Sequence, residues 1–164
     1  MQINPGTAAC EYSAHRDTRS ASLAGIVDGA MEQHVAVASH VSIMGEEMDV
    51  NPSAVLPLAL ILNELSTNAT KYGALSTDAG RVSLRWACAS EAKSFFLWWE
   101  ESGGPPVVTP GQRGFGSRLL ECAIPAQLGG EGHLSFPLTG VRYALRASLT
   151  KIAWRKPALE AAQG

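Results

Sequence analysis

The stretch Leu56–Leu75, LPLALILNELSTNATKYGAL, constrains this chain more than any other. At helical spacing Leu58, Ile61, Leu62 and Leu65 form one apolar side that must be buried. Glu64, Asn68, Lys71 and Tyr72 stand at i, i+4, i+7 and i+8, so all four project from a single polar stripe. A carboxylate, an amide, an amine and a phenol aligned in this way supply a base, a metal ligand, a phosphate contact and a stacking or hydrogen-bonding ring. A helix lying along a magnesium nucleotide needs that set. The plainer alternative is an amphipathic helix whose polar side faces water. Against it stands the crowding of Ser66, Thr67, Asn68 and Thr70 in the middle. These are mediocre helix formers, and a merely solvated face favours Glu, Lys and Gln.

The rest of the composition narrows the class. At 164 residues with 46% hydrophobic and 17% charged residues, the chain fits one soluble domain with a real core. A net charge of −2 lacks the basic excess of a nucleic-acid binder. No apolar run reaches the roughly 18 residues of a membrane span, and the N-terminus carries no signal-peptide pattern. No contact with nucleic acid or membrane is therefore expected. Cys10, Cys88 and Cys122 are odd in number, widely spaced and without CxxC pairing, as in a cytoplasmic protein with reduced thiols. His15, His34, His40 and His133 offer no ligand-like spacing beyond His34 and His40, so no zinc site is expected.

Taken in order, residues 1–21 show no periodicity and read as an irregular leader. Ser22 caps a helix from Leu23 that ends around Gln33 to Val35, with Leu23, Ile26, Val27, Ala30 and Met31 on one face. Val41–Met44 reads as a strand and Met48–Val50 as its return. Asn51-Pro52-Ser53 then opens the organising helix, with Ser53 or Asn51 as cap. Gly73 is expected to end it in a left-handed conformation. Arg81–Ala87 and Ser94–Glu101 alternate and form a hairpin around Ser90–Lys93. A helix over Ser117–Leu128 is kinked or cut short at Pro125. Strands follow at His133–Phe136 and Val141–Leu149, and residues 151–164 read as a tail. The order predicts one domain over residues 22–150. Its fold is a two-layer α/β sandwich, with a mixed, mostly antiparallel sheet covered by helices on one face.

Two glycine clusters sit at element ends. In Glu101-Ser102-Gly103-Gly104-Pro105 a strand-end carboxylate can accept from an exocyclic amine, while the glycines let a flat ring approach; a plain strand-ending turn has the same composition. In Gly114-Phe115-Gly116-Ser117 the free N–H groups of a helix start can hold phosphate, or simply form an ordinary cap.

The combination is more specific than its parts. Asn63-Glu64-Leu65-Ser66-Thr67-Asn68-Ala69-Thr70-Lys71-Tyr72-Gly73-Ala74-Leu75 is followed by Trp99-Glu100-Glu101-Ser102-Gly103-Gly104-Pro105, Gly114-Phe115-Gly116-Ser117-Arg118-Leu119 and Gln127-Leu128-Gly129-Gly130. In this order the motifs resemble the ATP-binding catalytic domain of sensor histidine kinases, and among them the HWE subfamily. The likeness covers about Ser22 to Leu149. It implies the Bergerat fold shared with type II topoisomerases, Hsp90 and mismatch-repair ATPases, with ATP and Mg2+ as ligands. Asn68 would coordinate Mg2+, Glu64 would take the general-base position, Lys71 would contact phosphate and Tyr72 would line the nucleotide pocket. Glu101 would recognise the adenine amine and Gly103 would admit the ring. Gly114 and Gly116, with Phe115 between them and the helix start at Ser117, would hold phosphates as the lid closes.

The resemblance further implies phosphoryl transfer to a His on a separate dimerisation segment or chain, with a response regulator downstream. The chain departs from the subfamily at Asn63, where its motif has His, and in a short lid, Val107–Arg113. No helical hairpin fits ahead of Ser22, and His15-Arg16 is similar only to the start of the acceptor motif. The chain is thus expected to be the catalytic part of a larger kinase or a free-standing relative. The alternatives in the same fold are a degenerate docking module and a serine-directed kinase acting on an anti-anti-sigma-type partner.

Overall fold

The computed structural model describes residues 21–32, 39–108, 111 and 114–154. A five-stranded sheet in the order β2-β4-β5-β7-β6 carries the fold. Its strands are β2 (Val41–Met44), β4 (Arg81–Ala89), β5 (Ser94–Ser102), β6 (Glu131–Ser135) and β7 (Arg142–Ser148). Only the β2–β4 pair is parallel; the others are antiparallel. The predicted two-layer sandwich with a mixed, mostly antiparallel sheet is the fold observed.

Period-two alternation sorts the two faces. Val82, Leu84 and Trp86 of β4, Phe95, Leu97 and Trp99 of β5, and Tyr143, Leu145 and Ala147 of β7 are buried. They pack in one core with Leu23, Ile26, Val27 and Met31 of α1 (Leu23–Met31) and with α2 (Pro52–Lys71). The intervening residues form the other face. There Phe96 stacks on Trp98 at 5.6 Å, and Arg85 lies over Trp98 at 5.8 Å while pairing with Glu100 at 3.2 Å. Pairs this exposed add at most about 1 kcal/mol each.

The organising helix is as read. Asn51 caps it, its side chain accepting from Ser53 N, and Leu58, Ile61 and Leu62 are fully buried. The small polar residues in its middle have a different explanation from the one their composition suggests. Ser66 is itself in the core and donates to Leu62 O at 2.8 Å; Thr70 donates to Ser66 O at 2.8 Å. Back-bonding onto the i−4 carbonyl satisfies these hydroxyls inside the fold. Of the crowded set, Asn68 is the residue that turns to the site.

Other local expectations are corrected. β3 (Asp49–Val50) does not return along β2. It pairs with β1 (Ala21–Ser22), because the chain dives inward at the buried Met48, whose carbonyl accepts from Leu23 N. The predicted cap Ser22 holds, accepting from Gly25 N at 3.1 Å, whereas the expected end of α1 at 33–35 lies outside the described residues. Gly73 has φ −112 and is not left-handed. The following residues, Ala74–Ser76, form a 3-10 turn.

The helix after β5 opens at Phe115, with Gly114 as its cap. It runs as α3 (Phe115–Arg118), a π-helical stretch (Leu119–Ala123) and α4 (Ile124–Gln127). Pro125 does not end it. It falls at the start of the resumed α-turn, where a missing N–H is tolerated, after a π-turn has already broken the i−4 register. Beyond β7 the chain makes α5 (Leu149–Ile152) rather than a tail at once. Ile152 and Ala153 are buried, Asn51 N bonds Ile152 O, and Trp154 N bonds Asp49 O.

The π-turn is anchored from the sheet. Tyr143 donates its hydroxyl to Leu120 O at 2.8 Å in a buried setting, and burial, then the nearby Glu121 charge, push its pKa well above the usual phenol range. The phenol therefore stays a donor. Tyr143→Phe is expected to cost about 1 kcal/mol of stability, as for one lost neutral hydrogen bond, read as a lower urea midpoint with unchanged slope.

Candidate functional site

A cavity of about 440 Å3 opens between the C-terminal half of α2, the end of β5 and the start of the helix that begins with α3. Volumes in this range suit a small-molecule ligand. Its walls are apolar, from Leu65, Leu120, Leu134, Phe136 and Val141 with Pro106–Val108. Its polar groups come from Asn68, Tyr72, Glu101 and Ser117. Four residues expected at the site from three separate stretches thus converge on one cavity. Tyr72 is 77% exposed and forms the rim rather than the floor.

Glu64 belongs to the same arrangement without lining the cavity. Its Oε1 accepts from Asn68 Nδ2 at 3.1 Å, one helical turn on, and a Cβ at Gly116 would collide with that same oxygen. Gly116 is thus a close-approach glycine, seating α3 against the end of α2. The Glu64 contact also fixes the Asn68 amide. A carboxylate oxygen can only accept, so the NH2 group must face Glu64, leaving Oδ1 as the free atom.

Lys71, Gly103, Gly114 and Phe115 do not line the cavity. Lys71 is exposed, and Phe115 is 79% exposed. Gly103 was expected to admit a ring, but the structure gives it another job. With φ +68 it makes the turn after β5, and a Cβ there would run into the backbone of Ala79. The glycine that does border the cavity is Gly73, where a Cβ would meet the Glu101 carboxylate. Within the short lid stretch 107–113, residues 109, 110, 112 and 113 lie outside the described residues, as do Cys10, His15 and His34.

Glu101 is the buried charge of the site, only 6% exposed. Ala74 N–H donates to its Oε2 at 2.9 Å and Trp99 Nε1–H to its Oε1 at 3.0 Å. Burial raises its pKa above the usual carboxylate value, and these two bonds partly oppose the rise. A raised folded-state pKa means that the folded chain holds the proton more tightly than the unfolded one. The resulting stability is full below the ordinary carboxylate value and is lost as pH rises through the folded value. Glu101→Gln should abolish that fall, so that denaturation of wild type and variant across pH gives a gap that changes sign-consistently with pH; parallel curves would refute it.

Trp99 and the Ala74 amide were not assigned roles from sequence. Trp99 was visible only as a motif letter. The Ala74 contact requires knowing that the chain after Tyr72 folds back over the end of β5.

The mixed, mostly antiparallel sheet with its layer of helices is the fold of histidine-kinase catalytic domains. A blue-light-activated histidine kinase of Brucella ovis is 35% identical over 115 residues, 69% of this chain and 24% of the relative. The corresponding Brucella anthropi protein is 37% identical over 108 residues, 65% of this chain and 22% of the relative. The chain thus spans about a quarter of the length of the curated relatives it matches. The histidine kinase domain of the Erythrobacter litoralis EL346 blue-light-activated kinase superposes with TM-score 0.62 at 18% identity, covering 85% of this chain and 72% of that one. The catalytic domain of histidine kinase ThkA gives 0.56 at 13%, covering 79% and 94%. These two likenesses concern the fold. No protein-family model matches the chain.

Proposed function

We propose that this domain binds ATP with Mg2+ in the cavity beside α2 and transfers the γ-phosphoryl group to a His on a separate dimerisation segment or chain. The observation that carries the reading is the convergence of Asn68, Tyr72, Glu101 and Ser117 on one cavity, with Glu64 bonded to Asn68 at its edge. Magnesium suits the donors present, since it takes oxygen ligands and is held by one or two protein groups plus phosphates. When bound, it supplies charge neutralisation on the triphosphate.

The chain's own groups do the rest. Asn68 offers Oδ1 as the metal ligand because Glu64 holds its NH2. Glu101 accepts from the adenine amine, and the apolar walls hold the ring out of water. Glu64 keeps Oε2 to polarise the incoming imidazole, and Lys71 reaches the phosphates from the exposed side of the helix. Gly114, Phe115, Gly116 and Ser117 close over the phosphates as the helix start does in a lid. Positioning and charge placement are the main demands of this chemistry. A response regulator receives the phosphoryl group downstream, and the setting is the cytoplasm. No helix among the described residues is long and apolar enough to cross a membrane.

Labelled ATP tests the reading directly. Supplied with a separate protein carrying a His-bearing helical hairpin, the domain should produce an acid-labile, base-stable phosphoprotein. Acid-stable label on a serine would reassign the acceptor, and no label despite ATP binding would leave only a docking module.

A further inference from the structure

We infer that Trp99 is a positioning residue for base recognition: its indole N–H, with the Ala74 amide, holds the Glu101 carboxylate as an acceptor facing the cavity, and so sets the preference for adenine over guanine. The inference rests on the adenine-site reading above and extends it to a residue that does not line the cavity.

The geometry leaves little freedom. Trp99 is fully buried in the core of β5, and its Nε1 is 3.0 Å from Glu101 Oε1, two residues along the same strand face. Ala74 N is 2.9 Å from the other oxygen. Each carboxylate oxygen therefore spends one lone pair on a protein N–H and keeps another. Both donors come from elements that cannot swing away, a buried strand and the turn closing α2. A carboxylate so held takes a donor and repels an acceptor. Adenine presents an amine at its six position; guanine presents a carbonyl oxygen there, which an ionised Glu101 rejects and a protonated one would accept. Loss of the indole N–H removes a bond to the charged form, while burial continues to favour the neutral one.

Among the described residues, the lining of the cavity supplies no competing charge. Tyr72 is the other titratable side chain on the cavity wall. Across the strand pair Glu101 faces Val82 of β4, and its own backbone bonds Val141 ahead of β7. Arg81 and Arg142 lie on alternate positions, toward the opposite face of the sheet.

The test is calorimetric binding of Mg-ATP and Mg-GTP across pH, with wild type, Trp99→Phe and Glu101→Gln. Wild type should favour ATP, and Trp99→Phe should narrow that preference by about tenfold, as for one lost charge-assisted bond. Its loss of ATP binding on acidification should also begin at higher pH than in wild type. A purely structural role for Trp99 would weaken both nucleotides together and leave the pH profile in place; that result overturns the inference while leaving the site intact. If wild type binds no ATP, or Glu101→Gln treats the two nucleotides as wild type does, the adenine-site reading itself fails. Should Trp99→Phe not fold, the wild-type protein still decides. The Trp99 indole N–H resonance should move as Glu101 titrates and again on ATP binding, and a resonance that responds to neither refutes the inference.

Discussion

Asn68→Ala should weaken magnesium-dependent ATP binding by about a hundredfold, close to 2.7 kcal/mol. The size follows from how few protein ligands magnesium takes in a nucleotide site, commonly one or two. Removing the amide deletes the proposed ligand and also strips Glu64 of the Nδ2 donor on its Oε1. Asn68→Asp makes the argument sharper. It keeps an oxygen ligand but sets a second carboxylate about one hydrogen-bond length from Glu64, where like charges oppose each other. It should recover only part of the affinity, and less as magnesium is lowered. Calorimetry at fixed and chelated magnesium checks both variants. Equal affinity for Asn68→Ala and wild type would remove Asn68 from the metal site.

The second large effect belongs to Gly73→Val. A Cβ at this position would strike Glu101 Oε2 and come within 2.9 Å of Ala69 Cα, so neither neighbour can yield without moving α2 or the carboxylate. Overpacking of this kind costs about 1–3 kcal/mol, or roughly 3–10 °C in Tm for a domain of this size. Nucleotide binding should fall further than stability, because the displaced group is the proposed adenine acceptor. Combining Gly73→Val with Glu101→Ala should cost less than the sum of the two, since the second change removes what the first collides with. Strict additivity would show that the two side chains do not compete for that space.

These two positions mark what the sequence did and did not disclose. The α2 stripe was legible because helical periodicity alone places Leu58, Ile61, Leu62 and Leu65 inward and Glu64 and Asn68 on one edge. The strands β4, β5 and β7 were legible for the matching reason, alternation around buried Val82, Leu84, Trp99 and Tyr143. What stayed hidden depends on close approach between distant segments. Gly73 looked like a helix stop, and only the fold shows the Glu101 carboxylate pressed against it. Gly103 looked like an opening for a ring, and its space is filled by the backbone of Ala79. The partner of β2 was equally unreadable, because four residues of strand carry no signal that separates a hairpin return from a parallel pairing with β4. The continuation of the helix past Pro125 was hidden for a local reason: the rule that proline ends a helix presumes an unbroken i−4 ladder, and the π-turn at Leu119–Ala123 interrupts it.

The most direct test of the account is a titration of the isotope-labelled domain with magnesium and a non-hydrolysable ATP analogue, followed by amide and indole resonances. The account predicts the largest shifts at the Asn68 side-chain amide, Gly73, Ala74, the Trp99 indole and Ser117, reduced when magnesium is chelated. Shifts confined to the opposite face of the sheet, around Arg85, Trp98 and Arg146, or none at millimolar analogue, would contradict it.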